Sequence, residues 1–279
     1  MADPNSPNSA QVSYWNALAG QAWRQQRARV DQLLDPLMSL SLDRLAPKAG
    51  EAVLDVGCGA GTSTLALARA VAPTGRVMGV DVSRVLLTEA RERARSLPNV
   101  ELREADAQVT ALPAASFDIV YSRFGVMFFD DPEAAFTSLH QCLRPDGRLG
   151  FLCWRERDLN EWATVTLRAA QGLVDFPESA PDAPGPFAFA RSERVCELLL
   201  GAGFDDVTLQ ALDHEMVQTL EDAIVYYQHI GPLGALLREA SPDVADALRD
   251  ALVRELRARA VDGELCFRSS AWWVSAVRG

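Results

Sequence analysis

Three aspartates stand where short apolar runs give out: Asp55 in AVLDVG, Asp81 in GRVMGVD and Asp106 in NVELREAD. Directly after the first comes Gly57-Cys58-Gly59-Ala60-Gly61, and then helix-forming residues to about Val71. Glycines in such a turn let the backbone come close to a ligand and take up dihedrals that side chains forbid. Two phosphate-binding patterns can be set against this stretch. The dinucleotide pattern G-x-G-x-x-G needs a third glycine at 62 or 64, where the chain has Thr62 and Thr64. The nucleoside-triphosphate pattern G-x-x-x-x-G-K-[ST] needs a lysine that the turn lacks. A carboxylate at Asp55 would also oppose a diphosphate, whereas it suits a ligand carrying an ammonium or sulfonium charge. For proton transfer the chain offers only His140, His214 and His229 among histidines. His140 reads as a helix residue on the flank of a sheet, while His214 and His229 are candidate bases.

The elements that must hold these residues follow from periodicity. Ala52–Gly57, Gly75–Asp81, Asn99–Asp106, Phe117–Ser122 and Arg148–Trp154 read as five strands. Helices separate them: one after the glycine turn, one capped by Ser83 and running to about Ser96, and one opening on Asp131-Pro132 and closing at Gly147. Strands alternating with helices predict right-handed crossovers and an α/β, doubly wound, mostly parallel sheet. DDVTLQAL and AWWVSAVR supply two late strands, which makes the sheet seven-stranded. Upstream, SYWNALAGQAW reads as helical, and Val30, Leu33, Leu34 and Leu37 form an apolar stripe. Asp35-Pro36 reads as a cap and first helical residue, which predicts two helices with a bend there. The first ten residues, polar and proline-containing, are expected to fray, and FPESAPDAPGPF reads as a proline-rich surface loop.

Composition narrows the partners. The chain has 279 residues, 48% of them hydrophobic, and a net charge of -11. That acidity repels nucleic acid and anionic membranes unless a basic patch is concentrated locally, and Arg91, Arg93 and Arg95 are interleaved with acids instead. No apolar run reaches the roughly 18 residues of a membrane span, and the N-terminus shows no signal-like segment. Cys58, Cys142, Cys153, Cys196 and Cys266 have no paired spacing, which predicts a reducing, cytoplasmic setting without disulfides or a metal site. The expected partner is a small molecule; the oligomeric state is left open.

Asp55-Val56-Gly57-Cys58-Gly59-Ala60-Gly61 resembles the first motif of class I S-adenosylmethionine-dependent methyltransferases. The resemblance continues through Asp81, Asp106-Ala107, SFDIVYSRFGVMFF and LRPDGRLGFLCW, covering residues 48–158. The YWN…W opening and the helical inserts are similar to a bacterial small-molecule subgroup related to the ubiquinone and menaquinone C-methyltransferases. The resemblance implies a Rossmann-like methyltransferase fold with helical cap insertions. Its expected parts are an N-terminal helical cover (1–47), a cofactor-binding core (48–158), a cap insert (159–190), a core helix and strand (191–217), a second helical cap insert (218–265) and a last core strand (266–279). It implies S-adenosyl-L-methionine as cofactor and S-adenosyl-L-homocysteine as product. By the same resemblance Asp55, Gly57, Cys58 and Gly59 surround the methionine part, and Asp81 and Val82 meet the ribose. Asp106 and Ala107 meet the adenine, and Ser122 lies beside the methyl group. Taken alone, Cys58 reads first as a turn residue, and Asp81 has a second reading as a helix cap.

For the acceptor, the fourth strand ends in SRFGVMFF, without the Asn/Asp-Pro-Pro-Tyr signature of nucleic-acid base amino methylation. Tyr14, Trp15, Trp23, Phe124, Met127, Phe128 and Trp154 are the candidates for an acceptor pocket, which points to a small apolar or aromatic metabolite. Tyr14, placed by the resemblance near the cofactor mouth, joins His214 and His229 as a candidate base, with no catalytic residue fixed. Arg123 is expected either to pair with Asp130 or Asp131 or to face an anionic substrate. A cofactor-binding scaffold that transfers nothing remains an alternative; a nicotinamide oxidoreductase is disfavoured at Thr62.

Overall fold

The structure is a computed structural model that describes residues 8–174, 180 and 182–279; the polar tail before residue 8, and residues 175–179 and 181 in and before the proline-rich loop, lie outside it. Three helices come first: α1 (Ser9–Asn16), α2 (Leu18–Gln25) and α3 (Arg27–Leu45). The alternating core follows as β1 (Ala52–Val56), α4 (Thr62–Ala70), β2 (Arg76–Asp81), α5 (Arg84–Arg93), β3 (Val100–Glu104), β4 (Phe117–Arg123), α6 (Pro132–Cys142) and β5 (Leu143–Trp154). Then come α7 (Glu161–Ala170), α8 (Ser192–Gly201), β6 (Asp205–Thr219), α9 (Leu220–His229), α10 (Gly231–Glu239), α11 (Pro242–Arg257) and β7 (Glu264–Val277).

The strands form one seven-stranded sheet in the order β3-β2-β1-β4-β5-β7-β6. The first five are parallel, and β7 runs antiparallel between β5 and β6. The chain reaches the β3 edge and then crosses back to lay β4 beside β1, so the carboxyl ends of β1 and β4 diverge into a crevice. Central β1 is buried along its whole length, as a strand covered on both faces must be. The seven-stranded, mostly parallel sheet read from the sequence is the one observed, and no helix among the described residues is long and apolar enough to cross a membrane.

Local boundaries moved for identifiable reasons. The expected division into two helices at Asp35-Pro36 is not found: α3 runs unbroken through Pro36. Leu33, Leu34, Leu37 and Met38 are buried on that helix, and this burial outweighs the hydrogen bond that a proline removes. Asp35 caps nothing; its carboxylate pairs with Arg123 at 3.5 Å. Helix α6 does open on Asp131, whose side chain accepts from Ala134 N, but it stops at Cys142, because Leu143 pairs with Phe117 in the sheet. The two late strands are longer than expected, β6 reaching Thr219 and β7 starting at Glu264.

Candidate active site

The site is built at the carboxyl ends of β1, β2 and β4. Gly57, Gly59 and Gly61 all have left-handed backbone, at φ 67, 53 and 84. This lets the turn fold back over β2, with Gly57 N and Cys58 N both donating to Val80 O at 2.9 and 3.1 Å. Across the crevice lies Gly125, just beyond β4; a Cβ on Gly57 would sit 2.8 Å from Gly125 Cα. Ser122 holds this approach, its Oγ donating to Val56 O (2.8 Å) and accepting from Gly125 N (3.1 Å). Two bare backbones therefore flank the crevice, and nothing bulkier than hydrogen fits between them there.

Next to the turn opens a cleft with about 1100 Å³ of empty space, the solvent at its open mouth included. Asp81 lines it, with Oδ2 accepting from Gly59 N and Oδ1 from Ser83 N, both at 2.7 Å. These bonds fix the carboxylate plane, and burial raises its pKa despite them. Asp106 lines the far end, accepting from Asn8 Nδ2 and Gln108 N, each at 3.0 Å. Gly57, Cys58, Gly59, Val82 and Ala107 line it too, and burial keeps the Cys58 thiol neutral. Trp15 stands edge-on to Trp23 (5.6 Å) and to Phe128 (5.2 Å), and these three with Phe124 form aromatic walls.

Other expected site residues lie elsewhere. Asp55 does not face the cleft: it is wholly buried behind the turn, accepting from Ser63 Oγ at 2.8 Å and Thr64 Oγ1 at 2.6 Å. The two hydroxyls at the start of α4 capture the carboxylate that the sequence offered to a cationic ligand. Ser122 is likewise spent on the backbone and is not part of the lining. Trp154 stacks behind Phe124 at 4.3 Å, and Met127 Sδ receives the Trp154 N–H, so both support the wall from behind. None of the candidate bases lines the cleft. Tyr14 packs edge-on against Trp15 at 5.3 Å, away from the lining, His214 sits on the edge strand opposite Ser269, and His229 Nδ1 is engaged with Val225 O at 2.8 Å.

Asp55 has a consequence for stability. Burial pushes its pKa up from 3.8 to about 6, with the Ser63 and Thr64 hydroxyls pulling the other way. The folded state thus holds this proton more tightly than the unfolded chain does. The stability it lends is complete below pH 4 and is lost as pH rises to about 6, by up to about 3 kcal/mol. From pH 4.5 to 7.5 the urea midpoint of the wild type should fall relative to that of Asp55→Asn; parallel profiles would show that the carboxyl titrates normally.

Several lining residues escaped the sequence reading. Asp31 of α3 accepts from Arg27 Nη1 (3.1 Å), Thr62 Oγ1 (2.9 Å) and Arg123 Nη2 (3.1 Å). Arg123 is therefore tied to Asp31 and Asp35, not to Asp130 or Asp131. The Arg27/Asp31 spacing of one helical turn signals an ion pair, but only the packing of α3 brings it to the glycine turn. Asn8, Gln11 and Gly125 were also missed, and for Gly125 its place just past an apolar strand was the available signal.

The cleft has parts that suit an adenosyl amino acid: a glycine turn that lines it with bare backbone, a fixed carboxylate for a diol, and a second carboxylate at Asp106. Residues 53–147 match the family model described as a methyltransferase domain. Nocamycin O-methyltransferase of Saccharothrix syringae is 32% identical over 244 residues, spanning 82% of this chain and 86% of that protein. A demethylmenaquinone methyltransferase of Lactobacillus johnsonii is 35% identical over 112 residues, which is 39% of this chain and 46% of that one. A solved S-adenosylmethionine-dependent methyltransferase from Aquifex aeolicus superposes with a TM-score of 0.51 at 21% identity, over 70% of this chain and 91% of the other.

Proposed function

The chain belongs to the S-adenosylmethionine-dependent methyltransferases, and from that premise we infer that its acceptor is a small apolar or aromatic molecule methylated on an acidic oxygen. The observation that carries the reading is a cleft walled by Trp15, Trp23, Phe124 and Phe128 that none of the candidate bases lines. An alcohol must lose its proton as it attacks, and an alkylammonium must lose one beforehand, so either calls for a base in reach. A carboxylic acid or acidic enol reaches the site already ionised and needs none. S-adenosylmethionine supplies a methyl group already activated on sulfonium sulfur, so holding the two reactants in line and dry provides most of the acceleration.

The chain's residues divide that work. The Asp81 carboxylate accepts from the ribose hydroxyls, Val82 packs beside the ribose, and Asp106 and the Ala107 N–H take the adenine edge. The backbone of Gly57, Cys58 and Gly59 follows the methionine part, and the Gly57 carbonyl accepts from its ammonium. The aromatic walls exclude water and bind the acceptor's apolar body. The O-methyltransferase activity named for the Saccharothrix relative supports oxygen as the receiving atom. Incubating the protein with S-adenosylmethionine and size-matched aromatic carboxylic acids, acidic enols and amines tests this. S-adenosylhomocysteine should accumulate with the acids and enols; turnover confined to amines would overturn the reading.

A further inference from the structure

We propose that helix α1 forms the third wall of the adenine site, and that Asn8 and Gln11 recognise the exocyclic amino group of the base. This rests on the adenine lying against Asp106, as placed above. Asn8 is only 6% exposed. Its Nδ2 donates to Asp106 Oδ2 at 3.0 Å, and this bond sets the amide's orientation, since the reversed amide would turn a carbonyl on a carboxylate. Asn8 Oδ1 is then left buried with no hydrogen-bond partner. Gln11 lies in the first turn of α1, three residues after Asn8 at the helix N-cap, and its Oε1 is buried and unpartnered as well. Both residues line the cleft beside Asp106.

Buried acceptors almost always find a donor, so two orphans one turn apart on one cleft call for an N–H from whatever fills it. Of the groups on an adenosyl amino acid that reach the Asp106 end, only the exocyclic amine carries N–H bonds; the ring nitrogens are acceptors. A base with a keto oxygen at that position would bring acceptor against acceptor. The helix is also seated firmly enough to select. Asn16 Nδ2 donates to Val82 O (2.7 Å), its Oδ1 accepts from Arg84 N (3.0 Å), and Ser83 Oγ donates to Trp15 O (2.8 Å). The loop that carries Asp81 therefore also anchors α1, and ribose and base contacts are held to one frame.

Calorimetric titration of the full chain with S-adenosylhomocysteine and with S-inosylhomocysteine, which carries a keto oxygen in place of the amine, tests the assignment. The wild type should prefer the adenosyl ligand by about 100-fold or more. Asn8→Ala and Gln11→Ala should each cut that preference about tenfold, mainly by weakening the adenosyl ligand. Asp81→Asn should weaken both ligands alike and leave the preference unchanged. An unaltered preference in both α1 variants, with Asp81→Asn behaving as stated, overturns the inference while leaving the ribose placement standing. If Asp81→Asn affects neither ligand, the placement of the nucleoside falls and the inference with it. Should Asn8→Ala fail to fold, judged by its circular dichroism, Gln11→Ala decides alone.

Discussion

Asp81→Asn is expected to weaken S-adenosylhomocysteine binding about 100-fold in a protein that still folds, as two hydrogen bonds to a charged acceptor are lost or weakened. In the structure Asp81 Oδ1 and Oδ2 each accept one backbone N–H at 2.7 Å, from Ser83 and Gly59, which leaves the remaining lone pairs for a diol. An amide keeps a single acceptor oxygen and puts an NH2 group where the other stood. That NH2 would face either the Gly59 or the Ser83 N–H, so the glycine turn or the α5 cap loosens locally. The sheet is not involved, since β2 is paired on both sides along its length. Calorimetric titration and thermal unfolding measured together separate the two effects. Wild-type affinity in the variant would remove Asp81 from the site.

Gly57→Ala should be more damaging, abolishing measurable cofactor binding and costing stability. A left-handed residue with a Cβ pays about 1–2 kcal/mol in backbone strain alone. Here the new methyl would also lie 2.8 Å from Gly125 Cα, and that backbone is held in place by Ser122 and cannot retreat cheaply. The total loss expected is about 2–4 kcal/mol, within the range for overpacking at a close-packed site. Urea denaturation reads the stability, and titration with S-adenosylhomocysteine reads the crevice. Gly201→Ala is the matched control: it lies at the end of α8, with no atom within 4 Å of its added methyl, and should be neutral or slightly stabilising. Wild-type binding by Gly57→Ala would mean that the crevice opens more freely than two opposed backbones allow.

What the sequence made legible was local. The strand–turn–helix around Gly57–Gly61, the Ser83 cap and the acids at the ends of β2 and β3 are each set by residues within a few positions of one another. The sheet order then follows from handedness rules. What it hid depends on remote partners. Asp55 and Asp81 look alike in sequence, both acids at the end of an apolar run. Ser63 and Thr64 turn one inward, while Gly59 and Ser83 hold the other in the cleft. The aromatic set split in the same way: Phe124 reaches the cleft because Trp154 already fills the space behind it. Pro36 read as a helix start because its local cost is plain, whereas the buried stripe that overrides it is a tertiary matter. Strand β6 was read short because polar His214 and Gln218 stand at its inward positions and Val217 at an exposed one, which breaks the apolar–polar alternation of its second half.

The segment from Leu220 to Gly263, carrying α9, α10 and α11, leaves the sheet at Thr219 and rejoins it at Glu264, two residues that are paired neighbours across β6 and β7. A further bond from Leu220 N to Gly263 O, at 2.9 Å, fastens the stem. Because the sheet itself brings the two ends together, the closure entropy grows only slowly with the length of whatever is spliced in. The stem fixes where the block begins and ends, while Tyr227, Leu233, Leu248 and Leu252 sink its inner faces into the same hydrophobic core as the sheet, so a change in its length is tolerated only where those faces keep their packing.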